Sequence, residues 1–349
     1  MTEITLVLPF ALPPPELAPD LIRALQAPAL ATLLSRTATH RIKAAAPEAR
    51  ALPHELWLKQ ALGVSDGRTL AFAAAVMRGY GLTPGEGTWF IVHPAHIDIA
   101  RSHLMLRDLR RLNLVESHAR ALFDTAKPYF DETGNTLLYG DAHTWFMRAD
   151  GWAALETSSP DAAAGMNLTD WLPLGAGALE YRKLQNEVQM LWHQHPANVE
   201  REARGFAAIN AFWLWGAASA DSATPLETPA LPPVLACADA PPWLAAIAQR
   251  HGSNFAQLLG EPGKVIFYCA SLAEAALATD WADWLTHMRR LDDELFAPLL
   301  AAITGGGGSG SVGKAHLILS HRTALAEFST TRMAQRTFWR RPTLDRLLP

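Results

Sequence analysis

"KVIFYCASLAEAALATDWADWLTHMRRLDDELFAPLLAAI", Lys264 to Ile303, joins two kinds of pattern. The opening "KVIFYCA" is apolar at successive positions, as a strand covered on both faces requires. "DWADWLTHMRRLDDELFAPLLAAI" spaces its apolar residues as a long helix does. A buried strand followed by a helix long enough to return over the sheet is the unit from which parallel sheets are built. The same alternation continues outward. "AHLILS" (Ala315–Ser320) is a further strand. Upstream, "PPVLACA" (Pro232–Ala238) is a strand and "PPWLAAIAQRHG" (Pro241–Gly252) a helix. At the start of the chain "ITLVLPF" (Ile4–Phe10) is a strand ended by Pro9 and the cluster Pro13–Pro15, followed by two helical pieces broken at Pro28. The expected fold is therefore α/β, a mainly parallel sheet with helices on both faces.

Between these regions the pattern changes. After the turn "TPGEG" (Thr83–Gly87) come a strand "TWFIVHPAHID", a helical "RSHLMLRDLRRL", the helix "ESHARALFDTAKPYF" and the hairpin signal "ETGNTLLYGDAHTWFMRA". This order suggests an inserted α+β domain. The expected division is a core of residues 1–75 and 190–349 with the insertion at 76–189.

Composition narrows the function classes. The chain has 349 residues, 49% hydrophobic and 18% charged, with a formal net charge of −4. That balance offers no general basic field for a nucleic-acid backbone, so no nucleic-acid partner is expected. No apolar run approaches the roughly 18–20 residues that cross a bilayer, and the N-terminal apolar run carries Glu3 and no basic residue before it. The expectation is a cytoplasmic protein with no membrane partner. Cys237 and Cys269 form no CxxC pair and read as buried thiols.

Several stretches invite a chemical reading. "GSGSVGK" (Gly308–Lys314) approaches a P-loop, but Ala315 replaces the metal-binding hydroxyl and the loop leads into a strand, so it reads as a connection. "HPAHIDIARSH" carries His93, His96, Asp98 and His103 at spacings that match no zinc pattern. His193 and His195 diverge if both are helical. The densest chemistry lies in "NEVQMLWHQHPANVEREARGFAAINAFWLWG", Asn186 to Gly216.

In that stretch His195, Pro196, Asn198, Arg201, Gly205, Asn210 and Gly216 match a signature of the archaeal-type cofactor-independent phosphoglycerate mutases, which have an alkaline phosphatase superfamily fold. Asn186, Glu187, Gln189, Met190, Trp213 and Trp215 extend the likeness to a pattern of the RpfE-type regulatory proteins of proteobacteria, which the chain resembles more closely. The resemblance implies an alkaline phosphatase-like core in a bacterial protein, and an anion pocket in which Asn198 and Arg201 recognise phosphate or carboxylate beside His195, Asn210, Asn186 and Glu187. Guanidinium forks and amides suit planar oxyanions. The rival reading is structural, with Asn186, Glu187 and Asn210 satisfying a buried network between domains.

The departures from the mutase pattern bear on mechanism. Pro9 stands where the resemblance expects a metal-binding Asp on the first strand. Ser320 replaces the Asp of an Asp-His pair whose histidine is His321, the residual metal candidate, and "SLAEAALATD" lacks the further Asp and His. Two divalent ions need about four to six ligands. The expectation is thus a mutase-like pseudoenzyme with a degenerate metal site and no cofactor, regulatory in role or binding a phosphorylated or carboxylated small molecule. The alternative is an active mutase or phosphohydrolase using Mn or Zn on relocated ligands such as His93, His96, Asp98, His193 and His321.

Overall fold

A computed structural model describes residues 2–46, 49–64, 70–99, 103–220, 233–252, 254–305 and 312–349. The chain divides into two compact units, one formed by Met1–His54 with Thr228–Pro349 and the other by Glu55–Glu227.

The first unit opens with β1 (Thr2–Leu8), α1 (Ala18–Ala24), α2 (Pro28–Ser35) and β2 (Thr39–Ala44). The chain then enters α3 (Pro53–Ala61), in whose first turn the division falls. Within the second unit follow α4 (Ala73–Gly79), β3 (Thr88–Ala95), β4 (Ile97–Ile99), β5 (Leu104–Leu106), α5 (Glu116–Glu132), β6 (Thr136–Tyr139) and β7 (Trp145–Arg148). This unit ends with α6 (Pro160–Ala163), α7 (Ala178–His193), α8 (Pro196–Ala203) and β8 (Ala211–Ser219). The first unit resumes with β9 (Val234–Ala238), α9 (Pro242–Ile247), β10 (Arg250–His251), α10 (Phe255–Leu258) and β11 (Gly263–Cys269). It closes with α11 (Ala273–Leu277), α12 (Trp281–Leu291), α13 (Ala297–Thr304), β12 (Val312–Ser320), β13 (Ala324–Thr331) and α14 (Arg332–Gln335).

The fold is mixed α/β. Seven strands of the first unit form one sheet in the order β10-β9-β11-β1-β12-β13-β2. β1 runs parallel to both β11 and β12, and β9 runs parallel to β10 and β11. β13 and β2 turn antiparallel at one edge. Val265 to Cys269 and Leu317 to Ser320 are buried at every position, so both faces of the central strands are covered. The long helix read from the sequence is α12 and α13 joined through a π-helical turn, Asp292–Phe296. The widened turn holds Asp292 buried, its carboxylate accepting from the backbone N–H of Ala29 (3.0 Å) and Leu30 (2.7 Å) at the start of α2. It therefore caps a helix whose own N-cap, Ala27, has no side-chain acceptor.

The second unit is α+β, with an antiparallel sheet in the order β6-β7-β3-β8. The expected hairpin is β6–β7. Phe90, Trp145, Trp192 and Phe212 belong to its core, and Trp145 meets Trp192 edge-on with centroids 6.0 Å apart.

Two sequence expectations change here. The division falls at 54/55 and 227/228, placing residues 55–75 and 190–227 with the second unit. The reason is pairing: β8 is bonded along β3 from Ala95↔Ala211 to Thr88↔Ser219, and α4 packs on both strands. The segment read as a helix at "RSHLMLRDLRRL" is instead β5 and a short 3-10 turn, Leu109–Leu112, because Leu104–Leu106 pairs with Ile97–Ile99. Residues 308–311 of the P-loop-like stretch lie outside the described residues, and Val312–Lys314 begin β12. Among the described residues no helix is long and apolar enough to cross a membrane. Both cysteines are free and buried.

Candidate functional site

Asn198, Arg201 and Asn210 meet in the second unit, with their polar atoms turned onto backbone. Pro196 starts α8, and His195 caps it by accepting from the Ala197 N–H at Nδ1 (3.1 Å). Its Nε2 faces Thr125 Oγ at 3.1 Å, while that hydroxyl donates to the Ala121 carbonyl, so the ring is the neutral Nε2–H tautomer. Burial lowers its pKa. Asn198 donates to the Trp192 and Ile209 carbonyls, both at 2.8 Å, and accepts from the Ile209 N–H at 2.7 Å. Arg201 is 1% exposed and gives its guanidinium to the carbonyls of Ala207 (2.9 Å), Asn113 (3.3 Å) and Leu112 (2.5 Å). Asn210 imitates a strand neighbour, accepting from the Ile97 N–H and donating to its carbonyl.

An anion could reach Arg201 only by displacing three carbonyls that would then be buried without donors. Asn198 and Arg201 thus hold backbone groups in this structure. Asn186 and Glu187 lie exposed on α7, and the partner of Asn210, Ile97, belongs to the same unit. His193 is exposed at the end of the same helix.

The histidines after "TPGEG" are separated in the same manner. His93 is buried on β3. It donates from Nδ1 to the His143 carbonyl (2.6 Å) and accepts at Nε2 from Trp215 Nε1 (2.9 Å). Burial drives its pKa down to about 4, against the opposing bond to His143. His96 faces the Ala208 carbonyl and Asp98, and Arg107 grips Asp98 through two nitrogens at 3.0 and 2.6 Å. Burial pulls the Asp98 carboxyl up, but Arg107 and His96 outweigh it and hold the carboxyl below its ordinary value. A further half-buried cluster escaped the sequence reading: Arg110 is held by both oxygens of Asp161 (2.8 and 2.6 Å) and by Asp108. Nothing in the spacing of these residues announces it.

In the first unit the informative place is the carboxyl edge of the sheet, where ligands of parallel α/β folds bind. β1 ends at Pro9 and Phe10. Phe10 adopts a left-handed backbone (φ 59), and its carbonyl accepts from Trp284 Nε1 at 2.8 Å. β12 ends at Ser320, whose Oγ lies 2.9 Å from His54 Nδ1 and whose carbonyl accepts from the Leu12 N–H. The His54 ring lies 5.9 Å from that of Phe10 and 6.2 Å from that of Tyr268. His321 Nδ1 accepts from the Thr323 N–H, and burial lowers its pKa. Among the described residues the donors at these two strand ends are Ser320 and two histidines, each with a nitrogen engaged, with the Glu16 carboxylate acting on His321, fewer than the ligands a two-metal centre needs. Among the described residues no group of three or more His, Cys, Asp or Glu is arranged to hold a metal.

A crevice opens further along that edge. β9 connects onward to β10 on one side, whereas β11 connects over β1 to β12 on the other. Adjacent parallel strands whose connections leave in opposite directions leave a gap beyond their carboxyl ends. A cavity of about 500 Å³ lies there. Its floor includes Phe255, Phe267, Cys269 and Leu295, and its polar groups are Asp239, Asn254, Arg290, Asp293 and Glu294. Asp239, which follows β9, has a left-handed backbone (φ 49), and the π-helical turn supplies Asp293 and Glu294. Arg290 lies 3.6 Å from Asp239 and 3.7 Å from Glu294.

No protein-family model and no curated protein matches the chain. Among solved structures it is similar to the PH0037 protein from Pyrococcus horikoshii, at 11% identity and a TM-score of 0.57, over 99% of this chain and 91% of that one. It is also similar to a cofactor-independent phosphoglycerate mutase from Thermoplasma acidophilum, at 15% identity and a TM-score of 0.41, over 94% of this chain and 89% of that one. The likeness to PH0037 is one of fold.

Proposed function

We propose that this chain is a small-ligand-binding protein of regulatory type, in keeping with its RpfE-type resemblance, and that it carries out no phosphoryl transfer. The observation behind this reading is the contrast along one sheet edge. At the ends of β1 and β12, Phe10, His54 and Ser320 are buried and bonded to one another's surroundings. An open cavity lies at β9 and β11. Phosphoryl transfer in this superfamily draws on metal ions to stabilise the transferring group, and those strand ends offer them no adequate ligand set.

The crevice also selects the ligand. Three carboxylates face one guanidinium over an apolar floor, so a neutral or cationic small molecule suits it better than the phosphorylated or carboxylated one implied by the resemblance. The test has two arms. Elemental analysis after chelator-free purification, with a coupled mutase assay in Mn²⁺, is expected to give substoichiometric metal and no turnover. Turnover of about 1 to 10³ per second, lost in His321→Ala, would overturn the proposal. In the second arm, thermal shift with aromatic amines and with matching carboxylates should stabilise the protein with amines alone, and Ala238→Trp should remove the shift. Stabilisation by carboxylates that depends on Arg201 would restore the anion reading.

A further inference from the structure

The corner formed by the end of α2, β2, α14 and the C-terminal segment differs from the rest of this net-acidic chain. Between Arg332 and Arg341 the sequence is "RMAQRTFWRR", with four arginines and no acidic residue. Among the described residues none of Arg332, Arg336, Arg340 and Arg341 is within ion-pair distance of a carboxylate. Arg36 reaches the Gln335 carbonyl at the same corner, and Arg346 contacts Thr37. Burial, then the neighbouring Arg340, depresses the Arg346 guanidinium, and Arg346 adds to the burial that depresses His40. The positive charges are therefore gathered and not neutralised locally.

Apolar side chains stand among them. Met333, Phe338 and Trp339 are 71%, 78% and 69% exposed. Phe338 and Trp339 form one unit, their rings edge-on with centroids 5.3 Å apart. The Arg336 guanidinium lies 3.8 Å from the Met333 sulfur, so cation and apolar group sit at one level.

We propose that this corner docks the protein on an anionic membrane surface, with Phe338, Trp339 and Met333 entering the interfacial layer and the arginines engaging lipid phosphates. Exposed aromatics level with unneutralised arginines are complementary to that boundary, where apolar tails lie just beneath negative headgroups. Nucleic acid suits the corner less well. Met333 cannot stack on a base, and the edge-on ring pair offers no continuous platform. Strand addition to the exposed edge β2 is opposed by Arg41 and Lys43 on that edge. The expectation of no membrane partner rested on the length of apolar runs, which does not register a local surface contact.

The test is sedimentation of the full chain with phosphatidylserine-rich and with pure phosphatidylcholine vesicles. Binding is expected to the anionic vesicles only. Arg340→Ala and Arg341→Ala should each weaken it about five-fold, and Phe338→Ser with Trp339→Ser should abolish what remains at high salt. Met190→Ser, at an equally exposed methionine on α7, should change nothing. All five side chains are exposed, so an unchanged melting temperature is expected and separates loss of binding from loss of fold. No sedimentation with anionic vesicles, sedimentation that survives the Phe338 and Trp339 changes, or tighter retention by duplex DNA than by vesicles would each overturn the proposal.

Discussion

Two polar regions of this molecule look alike in the sequence and differ in what their groups do. Around Arg201 in the second unit, each named donor ends on a backbone carbonyl and the guanidinium is sealed from water. Around Arg290 in the first unit, the guanidinium stays half exposed, at looser distances from Asp239 and Glu294, on the wall of a cavity. The first arrangement has committed three of its five guanidinium N–H groups to backbone carbonyls, and the second stays open to water and to a ligand. An arginine in a suggestive motif is thus weaker evidence for a site than an arginine open to a ligand.

The largest break in that comparison should come from Arg201→Ala. It strands three carbonyls at once, and urea unfolding should show a loss of about 3–5 kcal/mol. A loss below 1 kcal/mol would mean that Arg201 is free for another role. Next is His93. Its folded pKa of about 4 lies below its unfolded value, so the unfolded chain binds the extra proton first as pH falls. Stability from this residue is complete above about pH 6.5 and is lost progressively toward pH 4, by about 3 kcal/mol in total. His40, His195, His316 and His321 are lowered too, so the acid limb of the stability curve should flatten but persist in His93→Gln. An unchanged acid limb would place the proton elsewhere. Asn210→Ala, which removes one pseudo-strand pairing at a half-buried position, should cost about 1–2 kcal/mol. Arg290→Ala is the smallest, within about 0.5 kcal/mol of the parent in unfolding. Yet it should alter the amine response in thermal shift, where Arg201 changes should not.

Much of the fold was legible because long periodic segments decide themselves. The run of five buried residues in β11 and the amphipathic α12 have no other good reading. The edge strand β2 was missed because "THRIKA" is exposed at every position and shows no burial pattern. The unit boundaries were missed because β8 pairs with a strand more than a hundred residues earlier, and such pairing leaves no local trace. At the candidate site, the absence of carboxylates at Pro9 and Ser320 could be read directly. The crevice could not, since it depends on which way the connections of β9 and β11 leave the sheet. The backbone partners of Asn198 and Arg201 were not legible either: residue type names a hydrogen-bonding capacity, and only packing shows which groups backbone has claimed.

β1 precedes every other strand described and sits between β11 and β12, made roughly 250 to 300 residues later. On a ribosome it must therefore wait for some three hundred further residues, on the order of tens of seconds at ordinary elongation rates. Its apolar run is unpaired throughout that interval. Residues 55–227 are complete well before then and hold all the strands of their own sheet. Vectorial synthesis thus favours an order in which the inserted unit forms first and the discontinuous one closes last. The apolar run of β1 stays exposed longer than the strands of the inserted unit, a condition that favours aggregation.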